Sequence, residues 1–128
     1  MQYVFTSDDL DWTEVEFAGH PNASFFFTPS VIDKDYTDAY SSQLGRIGPG
    51  KGSALHTDPY NHAFYFVQGT GEVQIGNEKW RLRPGTIVRI PTGTVHGLSN
   101  TGSDDLVFLV IYDPPHVAGA EFKPPSGS

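Results

Sequence analysis

Three histidines and one aspartate have the residue types and the spacing of a metal site: His56, Asp58, His62 and His96. His56 and Asp58 are two residues apart, so on an extended strand their side chains face the same way. His62 follows a turn-like stretch that can fold back onto the next strand, and His96 follows a Pro-Thr-Gly turn. Three imidazoles and one carboxylate that converge inside a small β-barrel would bind a divalent metal.

Short strand patterns punctuated by Gly and Pro must position these residues. We predict strands at residues 14–17, 24–28, 43–47, 63–68, 72–75, 78–82, 86–90, 95–98 and 106–112. Gly76-Asn77 predicts a hairpin with a two-residue turn. Only residues 7–10 and 32–39 carry a helical hint. The pattern is typical of an antiparallel barrel or jelly roll, which at this size can hold one small ligand.

Composition narrows the class of protein. The chain has 128 residues, which is the length of one domain. Its 14 Gly and 10 Pro suit a turn-rich β fold, and the absence of Cys excludes disulfides, iron–sulfur clusters and thiolate zinc sites. A net charge of −7 without a Lys/Arg cluster argues against binding nucleic acid or an anionic membrane.

No apolar run is long enough to span a bilayer, and no signal peptide is evident, so we expect a cytoplasmic protein.

Two glycine-bounded motifs resemble those of the cupin superfamily. The first reads Gly50, five residues, His56-Thr57-Asp58, three residues, His62, six residues, Gly69. The second reads Gly85, five residues, Pro91-Thr92-Gly93, two residues, His96, three residues, Asn100, with no departure from the family pattern. The resemblance implies an all-β fold of the cupin type, a double-stranded β-helix or jelly-roll barrel in one domain. It also implies one divalent transition metal per chain.

The first motif departs from the family at two ligand positions. Asp58 stands where the family has its second His, and His62 stands where it has Glu. Both replacements can bind a metal, so we predict His56, Asp58, His62 and His96 as the ligand set. Because Asp is shorter than His, Asp58 either binds the metal, or lies behind a three-His site as a partner or general base. A third interpretation is that Asp58 only opens a turn at Pro59.

The donor set suits Fe, Mn, Ni, Zn or Cu and does not choose among them. The resemblance implies an enzyme that acts on a small oxygenated organic molecule, either as a dioxygenase or as an isomerase, cyclase or lyase that uses Lewis-acid catalysis. One alternative is a non-catalytic barrel that binds or senses a small molecule through its metal. Another is a structural β domain with a vestigial site.

A period of two along the strands predicts the substrate pocket. If His62 points inward, so do Phe64 and Phe66, whereas Tyr65 and Val67 face the other side. The run over residues 106–112 is apolar throughout, so its inward face is ambiguous; Phe108 and Val110 are one choice. We predict Gln43, Phe64, Phe66 and Phe108 as substrate-binding residues. Gln43, Gly45 and Ile47 share a face that leaves Arg46 outside; with the opposite parity, Arg46 would clamp a substrate carboxylate.

The remaining predictions concern the other histidines and the assembly. His20 and His116 lie in Pro-containing loops and are expected to be exposed, with a barrel mouth or dimer contact as the alternative for His116. We expect the domain to span residues 1–122, with N-terminal strands in 1–40, the barrel core in 41–113 and a flexible tail over 123–128. Edge strands at residues 3–5 and 15–17 predict a homodimer that covers them.

Overall fold

In the part of the chain that the structure describes, nine antiparallel strands form two sheets that enclose a core. The structure is a computed structural model, and it describes residues 1–16 and 24–116. The strands are β1 (Thr13–Glu16), β2 (Ser24–Phe27), β3 (Ser41–Ile47), β4 (Asn61–Gln68), β5 (Gly71–Ile75), β6 (Glu78–Leu82), β7 (Ile87–Ile90), β8 (His96–Asn100) and β9 (Leu106–Asp113). The large sheet has the order β1-β2-β3-β9-β4-β7, and the small sheet has the order β6-β5-β8. The predicted all-β jelly-roll architecture is confirmed.

The alternating side chains of β4 and β9 build the core between the sheets. His62, Phe64 and Phe66 are buried, whereas Tyr65 and Val67 are 46% and 50% exposed. On β9, Phe108 and Val110 point inward, opposite Phe66 and Phe64 in the register of the two strands. A period of two therefore predicted the inward face of β4 correctly, whereas the face of β9, which the sequence left ambiguous, is found to be that of Phe108 and Val110.

The outer face of β3 carries Arg46. Its guanidinium carbon lies 4.6 Å from the centroid of the Trp12 ring and 4.8 Å from that of Phe26. These cation–π contacts hold Arg46 outside the barrel, as the favoured parity predicted, so the alternative role of Arg46 as a carboxylate clamp is wrong. Gln43, Gly45 and Ile47 are buried on the opposite face of β3.

Two predictions near the N-terminus are wrong. Residues 3–5 form no strand. Residues 32–39 form no helix, because the backbone of Ile32 pairs with Ser42 of β3 and a turn follows it. The hint at residues 7–10 is confirmed as a 3₁₀ helix over Ser7–Asp9, and the hairpin turn at Gly76-Asn77 is confirmed as well. His20 and the tail at 123–128 lie outside the described residues.

Candidate metal centre

A backbone bridge beside the small sheet places His56 and His96 next to each other. His96 is the first residue of β8, and His56 forms an isolated antiparallel bridge with it. Each residue donates its N–H to the carbonyl oxygen of the other at 3.0 Å. Residues paired in this way project their side chains from the same face, so the main chain alone brings two imidazoles together.

The same two histidines are oriented by matching hydrogen bonds. Nδ1 of His56 lies 2.7 Å from the carbonyl oxygen of Ala54, and Nδ1 of His96 lies 2.8 Å from that of Thr94. A carbonyl oxygen only accepts, so each Nδ1 is the donor in these bonds, and Nε2 is the ring nitrogen left to face the cluster. This is the arrangement by which proteins fix the tautomer and direction of metal-binding histidines.

Asp58 lies at the centre of the histidines. Its backbone carbonyl accepts a hydrogen bond of 3.1 Å from the N–H of Gly93, which ties the two motifs together. Its carboxylate oxygen Oδ2 lies 3.3 Å from Nε2 of His56, 3.3 Å from Nε2 of His96 and 3.6 Å from Nδ1 of His62. The carboxylate is buried among imidazoles, so the interpretation of Asp58 as a simple turn opener is not supported.

His62 enters the cluster from the large sheet. Its Nε2 lies 3.1 Å from Nε2 of His96. Aromatic rings surround it, with centroids at 5.0 Å for Phe64, 5.5 Å for Tyr60 and 6.3 Å for Tyr112. Ring packing, rather than a bond to a backbone carbonyl, therefore orients this third imidazole.

The protonation of the cluster suits a cation. Burial acts to raise the pKa of the Asp58 carboxyl, but the adjacent His56 and His96 and the attraction to His62 outweigh burial and hold that pKa well below its usual range. Burial, reinforced by the neighbouring His96, lowers the pKa of His62 to about 3, although Asp58 acts in the opposite direction. At neutral pH the cluster thus presents an ionised carboxylate beside a neutral His62.

The donor spacings fit a transition-metal ion. Ligand atoms about 2.0–2.1 Å from one ion, at tetrahedral or octahedral angles, lie about 2.9–3.4 Å apart. Three of the four donor separations given above, at 3.3, 3.3 and 3.1 Å, fall in this range. With one ligand atom per residue, the donor atoms of His56, Asp58 and His96 all lie within 4.8 Å of one another. His62 is not part of this compact group, since its Nε2 faces His96 and its other ring nitrogen, Nδ1, faces Asp58.

A cavity of about 190 Å³ opens beside the cluster. All four predicted ligands line it, and so do Gln43 and Phe64. Phe66 and Phe108 do not line it: both are fully buried in the core behind Phe64, whose ring centroid lies 5.3 Å from that of Phe108. The sequence predicted that these rings point inward, but not which of them reach the cavity.

Several residues that line the cavity were not predicted. Tyr60, Tyr112, Phe25 and Phe27 contribute to its wall. Tyr112 shares the inward face of β9 with Phe108 and Val110, so the choice of parity that points those two residues inward would also have placed Tyr112 there. His116, expected to be exposed, is half-buried and lines the cavity, with its ring centroid 5.0 Å from Tyr112 and 5.7 Å from Tyr60. The expectation of exposure was wrong because the N–H of His116 bonds to Oγ of Ser41 at 2.8 Å, a contact between distant residues that no local pattern predicts.

Comparison with known proteins agrees with this architecture. The Cupin domain family profile matches residues 43–112, so the chain belongs to the cupin family. The chain is 24% identical to the L-ectoine synthase of Vibrio campbellii over 98 residues, which are 76% of each protein. It is 30% identical to a 5-nitrosalicylic acid 1,2-dioxygenase of Bradyrhizobium over 67 residues, 52% of this chain and 32% of that enzyme.

Solved structures show the same fold. The polyketide cyclase RemF of Streptomyces resistomycificus superposes with a TM-score of 0.76 and 19% identity, over 97% of this chain and 83% of RemF. Among the described residues, no helix is both long and apolar enough to cross a bilayer.

Proposed function

We propose that this cupin is a metal-dependent enzyme that acts on a small oxygenated organic molecule by Lewis-acid catalysis, as an isomerase, cyclase or lyase. One observation carries the proposal. An ionised carboxylate and three imidazoles converge beside a largely apolar cavity, and the donor atoms of His56, Asp58 and His96 lie close enough together to share one divalent cation. His56, His62 and His96 would hold the ion together with Oδ2 of Asp58.

A bound divalent cation would polarise a carbonyl group and stabilise the negative charge that develops on its oxygen. The chain supplies the proton transfer. The three contacts of Asp58 with histidines all use Oδ2, which leaves Oδ1 to take a proton from the carbon next to the carbonyl and to return it elsewhere. Phe25, Phe27 and Phe64 make much of the cavity wall apolar, and electrostatic effects are stronger beside an apolar wall than in water.

The similarities support the same direction without fixing a reaction. The relative matched over three quarters of both chains is a synthase, and RemF is a cyclase. The shorter match to a dioxygenase supports a second candidate, in which the same residues hold iron and the substrate reacts with dioxygen. A non-catalytic metal-anchored binder would share the site and lack turnover.

The test reconstitutes the protein separately with Zn²⁺, Mn²⁺, Ni²⁺ and Fe²⁺ and follows two signals with a panel of small ketones. Exchange of the α-proton in D₂O, measured by NMR without oxygen, is expected with a non-redox metal and is expected to be lost in Asp58→Asn. Oxygen consumption with Fe²⁺ alone would favour the dioxygenase instead. Saturable ketone binding with neither signal would contradict catalysis and identify a binding barrel.

Two further predictions accompany this proposal. β1 is an edge strand of the large sheet, and a second copy that covers it would form the homodimer. Sedimentation as a monomer at micromolar concentration would contradict the dimer. A cytoplasmic location also stays a prediction, which fractionation of cells that express the tagged chain can check.

A further inference from the structure

The cavity beside the His/Asp cluster has a second polar group, the hydrogen-bonded pair Gln43 and Tyr112, on the wall formed by β3 and β9. Nε2 of Gln43 donates a hydrogen bond of 3.0 Å to the hydroxyl oxygen of Tyr112. Both residues are buried, and both line the cavity. Within residues 1–16 and 24–116, the Tyr112 hydroxyl has no acceptor for its own proton. A hydroxyl that already accepts one bond can direct its proton toward a bound molecule.

Tyr112 remains a neutral donor under working conditions. A phenol has an ordinary pKa of about 10, so the hydroxyl keeps its proton at neutral pH and favours an oxygen that accepts a hydrogen bond. Because Gln43 holds the hydroxyl in place, little rotational freedom is lost when a ligand binds.

Much of the remaining cavity wall is aromatic, which suits a ligand that contains a planar ring. Phe25, Phe27 and Phe64 line it, and the centroids of Phe25 and Phe27 lie 5.8 Å apart. Gly45 makes room for this arrangement, because a Cβ there would collide with Phe108 and lie 3.0 Å from the Phe27 ring. A cavity of about 150 Å³ admits benzene. The volume here, about 190 Å³, suits one substituted ring.

The charges on the wall limit the ligand further. No Lys or Arg is among the described residues that line the cavity, and its one acidic residue is Asp58. The proposed divalent cation would offset the charge of a phosphate at the His/Asp cluster, but a phosphate directed to the rest of the described wall would meet no cationic side chain. With the carbonyl group at the cluster, the described wall therefore disfavours a phosphorylated substituent, although one relative matched over 33% of its length is a glucose-6-phosphate isomerase.

We infer that the substrate is a single-ring, unphosphorylated molecule with two oxygen substituents, one directed to the His/Asp cluster and the other hydrogen-bonded by Tyr112. This inference rests on the proposed function for the first oxygen only. The ring and the second oxygen are recognised by residues outside the cluster, so the two claims can fail separately.

The test is isothermal titration of the zinc-loaded protein, after elemental analysis has established the zinc content. The probe is 2-hydroxyacetophenone, whose single ring carries a carbonyl and a hydroxyl on neighbouring positions. We expect saturable binding of this probe, at least tenfold weaker binding of ring-free acetylacetone, and no binding of glucose 6-phosphate. Tyr112→Phe should weaken binding of the probe about tenfold, whereas Tyr65→Phe, which removes an exposed hydroxyl on the outer face of β4, should not.

Equal binding of the probe by wild type and Tyr112→Phe would overturn the role of Tyr112. Binding of glucose 6-phosphate at least as tight as that of the probe would overturn the substrate class. If the protein binds none of Zn²⁺, Mn²⁺, Ni²⁺ and Fe²⁺, the proposed function fails, and the same titrations of the metal-free protein still decide the inference. A tenfold effect of Tyr112→Phe there would uphold it, and no effect would overturn it.

Discussion

The histidines on the two sides of the site are held in different ways. His56 and His96, on the small-sheet side, share a backbone bridge, and each directs Nδ1 to the carbonyl oxygen two residues earlier. His62, on the large sheet, is oriented by rings and by its contacts with Asp58 and His96. The main chain therefore preorganises His56 and His96 as metal ligands, whereas the position of His62 depends on the packing of the aromatic core.

The largest effect is expected on the small-sheet side. His96→Ala removes a donor that the backbone already directs into the site, so metal affinity should fall by more than the roughly 10–100-fold that loss of an outer-shell partner costs. Competition with a chromogenic chelator measures this. The matched control is His116→Ala, which removes a cavity histidine outside the cluster and should retain wild-type affinity.

On the large-sheet side, His62→Ala is expected to weaken metal binding by about 10–100-fold, less than His96→Ala does. The reason is that His56, Asp58 and His96 already form a compact group without it. The same chelator competition measures the effect. Equal losses of metal affinity in the two variants would show that the two sides of the site do not differ in this way.

A change in the packing of the aromatic core should disturb His62, on the large-sheet side, and leave His56 and His96 in place. In Gly45→Ala the new methyl group collides with Phe108, which packs on Phe64, and Phe64 packs on His62. Overpacking of this kind costs about 1–3 kcal/mol of stability, and we expect metal affinity to fall by less than tenfold. Urea unfolding measures the stability. Gly48→Ala is the control, because the nearest atom to its Cβ would lie at an ordinary 3.9 Å.

The smallest effect is expected on the stability of the metal-free protein, which should decrease at acidic pH. His62 has a pKa of about 3 when folded, against 6.5 for an unperturbed imidazole, so between these pH values the unfolded chain binds a proton that the folded chain does not. Stability is therefore full above pH 6.5 and falls as the pH decreases, by at most about 1.4 kcal/mol per pH unit. Urea unfolding from pH 7 to pH 5 in the presence of a chelator should show this slope. The slope should flatten in His62→Phe and persist in His116→Ala.

The sequence predicted the fold and the members of the cluster better than the shape of the cavity. Alternation along β4 was enough to place His62, Phe64 and Phe66 inside, because a period of two fixes the face of every residue in a strand. The same period does not tell how far along the barrel a residue lies, so the sequence could not distinguish Phe64, which lines the cavity, from Phe66, which lies behind it.

Contacts between distant residues explain the other misses. His116 is drawn to the cavity by Ser41, and Ile32 is drawn into the sheet by Ser42. Neither partner could be inferred from neighbouring residues, and pairing in the tertiary structure overrode the weak helical hint at 32–39. The convergence of His56 with His96 was predicted only through the family resemblance, because their bridge joins residues forty positions apart.

The most direct test of the account is elemental analysis of the purified wild-type protein beside His96→Ala and His116→Ala. We predict about one divalent transition metal per chain in wild type and in His116→Ala, and almost none in His96→Ala. Absence of metal from wild type even after reconstitution, or equal content in all three proteins, would contradict the claim that the four converging side chains are a metal centre.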